Sequence, residues 1–66
     1  MPRQIVNEDA KLFVTTLKQL DGSAGNGALR GALGWAETRY WRAHAFLLEQ
    51  GRIVKGRGRG GSVHVA

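Results

Sequence analysis

Between the β-branched residues Ile53-Val54 on one side and Val63 and Val65 on the other, the chain places Gly56-Arg57-Gly58-Arg59-Gly60-Gly61. This stretch limits the fold more than any other, because it admits only three readings. Arg-Gly repeats occur in disordered RNA-binding tails. The same six residues fit the letters of GxGxxG, a dinucleotide-binding pattern. The third reading is the glycine-rich tip of a β-hairpin. The dinucleotide pattern works only where it follows a strand and opens a helix that receives the pyrophosphate, and only Ser62–Ala66 follow here. A disordered tail has no use for Ile53 and Val54 before it, or for Val63 and Val65 in alternation after it. A hairpin over 52–65 uses all of these residues. Its glycines permit positive φ at the tip, and Arg57 and Arg59 project outward.

Upstream, apolar residues recur at helical spacing. Ala10, Phe13, Val14, Leu17 and Leu20 form one stripe of an amphipathic helix over 8–20. Asn7 supplies an N-cap, Glu8 and Asp9 suit the positive end of the helix dipole, and Asp21-Gly22 stops the pattern. SAGNG reads as a loop. A short helix over 27–33 follows, with Ala28, Leu29, Ala32 and Leu33 as its apolar positions and Asn26 as its cap. Gly31 weakens it by roughly 1 kcal/mol relative to alanine. The turn Gly34-Trp35 leads directly into a third helix over 36–50, ended by Gly51 in the left-handed conformation. Two helices joined so tightly through a glycine carry the helix-turn-helix signature. On the third helix Ala36, Tyr40, Ala43 and Leu47 make a core row, flanked by Trp41, His44 and Leu48 on one side and Phe46 on the other. Thr38, Arg39, Arg42 and Glu49 remain as a narrow polar stripe. Trp35 reads as a core plug, His44 as packed beside the core and His64 as a solvent-facing strand residue.

Charge then points to a partner. The chain of 66 residues carries a formal net charge of +5. Residues 1–29 hold three bases and three acids, whereas residues 30–66 hold seven bases and two acids. The whole excess lies in the second half, and six of its seven bases are Arg, which suits planar recognition of phosphates and guanine edges. This asymmetry leads us to expect a polyanionic partner, nucleic acid before membrane. With no cysteine, and His44 and His64 twenty positions apart, neither a disulfide nor a metal can staple so small a chain. We therefore expect no cofactor and no metal. The scattered acids and the loop residues Ser23 and Ser62 give no catalytic constellation, so we expect no enzyme and no small-molecule substrate. No apolar run approaches the roughly 20 residues of a membrane span. A soluble, cytoplasmic protein is expected, either one domain or a piece of a larger one.

The order helix, helix, tight turn, helix, basic hairpin, carried by ALRGALGW, YWRAHAFLLEQGRIV and GRGRGGSV, resembles the winged helix-turn-helix family of DNA-binding domains over about residues 8–65. ALGW and GRGRGGSV also look like small domains attached to prokaryotic DNA-methylation and restriction systems. The resemblance implies an α+β fold that is mainly α, with three helices and a wing at the C-terminus. It implies binding to double-stranded DNA as a regulator of transcription or a targeting module, alone, as a homodimer, or within a larger parent protein. In the family the third helix enters the major groove and the wing touches backbone or minor groove.

Carried onto this chain, Thr38, Arg39 and Arg42 face DNA, each arginine pairing with guanine or holding a phosphate. The alternative for Arg39 is an ion pair with Glu37 or Glu49. Arg57 and Arg59 serve as wing contacts, Lys55 and Arg52 as phosphate contacts, and Arg30 as a contact from the second helix. Asn26, with Gly27, offers a helix N-terminus to a phosphate or acts as a cap only. Trp41 borders the polar stripe, beside DNA or at a partner interface. RNA or single-stranded nucleic acid, stacked on Trp41, and a protein partner covering Trp41, Phe46 and Leu48 are the alternative ligands. Winged helices commonly place a strand between their first two helices. Gly22–Gly25 is a poor strand, so we expect a two-stranded wing with only a token third strand.

Overall fold

The computed structural model describes residues 2–56 and 61–66, the first five of them by their backbone. The elements run α1 (Pro2–Gln19), β1 (Ser23–Gly25), α2 (Asn26–Leu33), α3 (Glu37–Glu49), β2 (Ile53–Gly56) and β3 (Ser62–Val65). The class is α+β, with three helices and one antiparallel sheet of order β1-β3-β2, winged-helix-like in arrangement. Among the described residues no helix is long and apolar enough to cross a membrane.

Pro2 stands at the first helical position of α1, where its fixed φ suits a helix and its missing N–H costs nothing. Asn7 therefore lies inside α1 and not at its cap, and the helix begins well before the capping pattern suggests. Its stripe is as expected: Ala10, Phe13, Val14 and Leu17 are buried, and Leu20 packs partly against them. α3 presents Tyr40, Ala43, His44 and Leu47 at the matching spacing. Ala36, expected in that row, is exposed as the N-cap residue, because α3 starts only at Glu37. α2 is thinner still. Leu29 is fully buried and Leu33 partly so, while Ala28 and Ala32 face solvent. Phe13 sits where these surfaces meet, its ring 5.2 Å from Tyr40, 6.5 Å from Trp35 and 6.2 Å from His44. Each such side chain contributes about 1.5–3 kcal/mol on burial.

The helices end alike. Asp21 (φ 67°), Gly34 (φ 70°) and Gly51 (φ 71°) occupy the left-handed region just beyond α1, α2 and α3. After α2, the Gly34 N–H donates to the Gly31 carbonyl at 3.2 Å and the Trp35 N–H to the Arg30 carbonyl at 3.4 Å. This pair of bonds is a Schellman motif, and here it reverses the chain so sharply that Trp35 drops into the core at 7% exposure. The tight turn between α2 and α3 depends on it.

The hairpin of β2 and β3 forms as expected, with Ile53 opposite Val65 and Lys55 opposite Val63. The third strand is more than token. Ser23–Gly25 pairs with β3 at every residue, and the Val65 N–H extends the ladder to the Gly22 carbonyl at 2.9 Å. Small residues with little strand preference of their own are recruited here by the otherwise open edge of β3. Ile53 and Val63 close the core from the sheet side.

Candidate nucleic-acid interface

Steps of three and four along α3 place Thr38, Trp41, Arg42, Ala45 and Glu49 on one continuous exposed strip. Trp41 is the notable member, a large aromatic residue 47% exposed. Its indole meets Tyr40 and His44 edge-on, each with centroids 5.0 Å apart, so buried rings brace it from behind. Arg42 has no ion-pair partner among the described residues.

Arg39, one position before Tyr40, turns the other way. Its Nε donates to Asp9 Oδ2 at 3.1 Å and its Nη2 to Asp9 Oδ1 at 2.9 Å, while the guanidinium lies 4.4 Å from the centroid of Trp35. The bond to Asp9 raises the Arg39 pKa above its ordinary value, outweighing the opposing effect of desolvation. The ion-pair partner is thus neither Glu37 nor Glu49 but an acid thirty positions away on α1. A signal for it exists in the sequence. Asp9 lies four residues before Phe13, on the buried stripe of α1, and a buried carboxylate needs a bidentate partner.

Asn26 also has a different place from the one its type suggests. Gly25 is the N-cap residue of α2, without a side-chain cap bond, and Asn26 is the first helical residue. Its Oδ1 accepts the Tyr40 hydroxyl at 2.5 Å, and its N–H donates to the Gly61 carbonyl at 3.3 Å. One residue thereby ties α2 to α3 and to the start of β3. Burial pushes the Tyr40 phenol up to about 12, against a smaller opposing effect of the Arg30 charge, so the hydroxyl keeps its proton and this bond at neutral pH.

Between α3 and the hairpin runs a groove of about 300 Å³, lined by Asn26, Trp41, His44, Lys55, Gly56, Gly61 and Ser62. His44, 6% exposed, has its pKa lowered first by burial and then by the nearby charge of Lys55, and is neutral at pH 7. Two glycines set the groove's shape. A Cβ on Gly56 would overlap Ser62 Oγ and the His64 ring, and one on Gly61 (φ 79°) would lie 2.7 Å from Asn26 Nδ2. Neither crowding was visible from the sequence, where both glycines read simply as part of a hairpin tip.

Of the residues expected at an interface, Asn26, Trp41 and Lys55 meet at this groove, with Thr38 and Arg42 on the adjoining strip of α3. Arg52 is exposed at the opposite end of β2 from Gly56, and Arg30 is half-buried near Tyr40. Arg57 and Arg59 lie outside the described residues. His44 and Ser62 are additions that sequence reasoning placed elsewhere. Comparison with protein-family models, with curated proteins and with solved structures gives no match for this chain.

Proposed function

We propose that the protein is a winged helix-turn-helix module that binds double-stranded DNA, with α3 as its recognition helix and the β2–β3 hairpin as its wing. It acts as a regulator or as the targeting part of a larger protein, with no reaction of its own. The observation that carries this reading is the exposed strip of α3, where Arg42 stands without an acidic partner among the described residues and Lys55 flanks it from the hairpin. The concentration of the +5 charge in residues 30–66 supports it. In the major groove Arg42 would meet a guanine edge or a phosphate, Thr38 a base edge, and Lys55 the backbone. Arg57 and Arg59, between the two hairpin strands in sequence, add two further positive charges to this half of the chain. Arg39 is committed to Asp9, so we assign it the placing of α3 and not the reading of DNA.

Fluorescence anisotropy tests this, with labelled random-sequence duplex and matched single strand at several salt concentrations. Duplex is expected to bind more tightly, with log affinity falling by about 0.9 per log salt for each phosphate neutralised. Arg42→Ala should cost roughly tenfold, and Arg57→Ala/Arg59→Ala should reduce the salt slope by about 2. Absence of binding to either form at low salt would overturn the reading. Preference for single strand would replace it with a stacking mode on Trp41, which the 47% exposure of that ring favours as the second reading.

A further inference from the structure

The groove between α3 and the hairpin has a chemistry of its own. Its volume, about 300 Å³, lies at the small end of ligand sites and suits one ring system with its substituents. Trp41 supplies an aromatic wall that is half exposed yet braced by Tyr40 and His44. Lys55 supplies a positive charge with no carboxylate partner among the described residues. The Oδ1 of Asn26 is occupied by the Tyr40 hydroxyl, which leaves the Asn26 amide NH₂ as a donor at the groove, alongside the hydroxyl of Ser62. Among the described residues no acid lines the groove, which does not suit a cation.

An aromatic wall, one cation and neutral hydrogen-bonding groups together describe a flat heteroaromatic ring that carries an anionic substituent. We propose that this groove takes a single unstacked nucleotide, its base against Trp41 and its phosphate at Lys55. Gly56 and Gly61 belong to the same design. Side chains at these positions would drive into Ser62, His64 and Asn26 and displace the groups that shape the site. The inference rests on the DNA-binding reading for the source of the nucleotide, an extrahelical base of the bound duplex. The ring-and-phosphate chemistry is shared by a free nucleotide, and the experiment separates the two.

Three probes are titrated into the whole chain: a fully paired duplex, the same duplex with one central unpaired 2-aminopurine, and dAMP alone. The readouts are anisotropy for the duplexes, 2-aminopurine fluorescence, and the indole N–H resonance of Trp41 for dAMP. We expect the unpaired site to improve affinity about tenfold over the paired duplex and its fluorescence to be quenched on binding. Trp41→Ala should abolish the preference and the quenching, Trp41→Phe should keep part of both, and Lys55→Ala should weaken the unpaired probe more than the paired one. Each variant is first checked for native circular dichroism. If dAMP shifts the Trp41 resonance while no duplex binds, the nucleotide site stands, its source is a free nucleotide, and the DNA reading falls. If paired and unpaired duplexes bind equally and Trp41→Ala changes nothing, the proposal is overturned while the DNA reading survives. If neither duplex nor dAMP binds, both fall.

Discussion

On the α1 flank of α3, Arg39 is gripped by two hydrogen bonds to Asp9 and laid over Trp35. On the hairpin flank, two residues further along the helix, Trp41 stands half exposed beside Lys55, and no carboxylate among the described residues lines the space between them. The two flanks draw on the same residue types, an aromatic and a cation, for opposite ends. Where a buried acid is supplied, the pair becomes a clasp between helices. Where none is supplied among the described residues, the cation keeps its charge unpaired, and this is the feature on which the proposed nucleotide site rests. A count of basic residues along α3 therefore overstates its unpaired positive charge, because the Arg39 guanidinium is already balanced by Asp9.

The severest way to break the comparison is to remove the ring both flanks share. Phe13→Ala should cost about 3–5 kcal/mol, a large part of the stability of so small a domain, and urea titration followed by far-ultraviolet circular dichroism will read it. Asp9→Ala opens the closed flank alone. It should lower the thermal midpoint by less than Phe13→Ala, while duplex affinity, measured where the variant is folded, does not fall. Loss of affinity in parallel with stability would mean that the clasp also presents the reading surface. Gly34→Ala attacks the turn that delivers Trp35 to the same flank. Among the described residues nothing lies within 4 Å of the added Cβ, so its cost of about 1–2 kcal/mol is that of the left-handed backbone. Gly31→Ala meets no neighbour either, but at a helical φ, and should stabilise by about 0.5–1 kcal/mol.

The smallest effect sharpens the hairpin flank through pH. His44 has a folded pKa below its ordinary value of 6.5, so the unfolded chain binds the proton more readily. Stability is then highest above that ordinary value, declines as pH falls through it, and levels off below the folded value. Thermal midpoints between pH 7 and 5 should show this slope in the wild type. His44→Phe should remove the contribution of His44, and Lys55→Ala should shrink it.

The helical pattern was open to a reader of the sequence because burial repeats at fixed spacing: Phe13, Leu17, Tyr40 and Leu47 declare themselves by period. So were Gly34 and Gly51, since a glycine directly after an apolar pattern has few other uses. The sequence concealed whatever depends on distant pairing. β1 has no strand character of its own and takes it from β3. Asp9 on the buried stripe of α1 signals that some partner is needed, but not that the partner is Arg39, thirty positions away, and Asn26 reads as a cap because the nearest helix start is the only partner in view. The start of α1 is hidden for a related reason: the capping pattern at Asn7 is strong, yet the helix runs through it from Pro2. The groove itself is a product of assembly. His44 and Lys55 belong to different elements, and only the packed sheet brings them beside the same space.

The sheet order also says something about time. β3 lies between β1 and β2, although it is the last of the three to be synthesised. Ala24 must therefore wait for Val63 before it can pair, whereas α2 packs on α1 and β1, which directly precede it in sequence. Contacts so far apart in sequence slow folding, and a chain emerging from the ribosome gathers its earlier elements first. During translation the helices can collapse onto Phe13 while the sheet and the groove do not yet exist. The groove therefore takes shape only once β3 has paired with both of its neighbours, which makes it one of the last features of this fold to form.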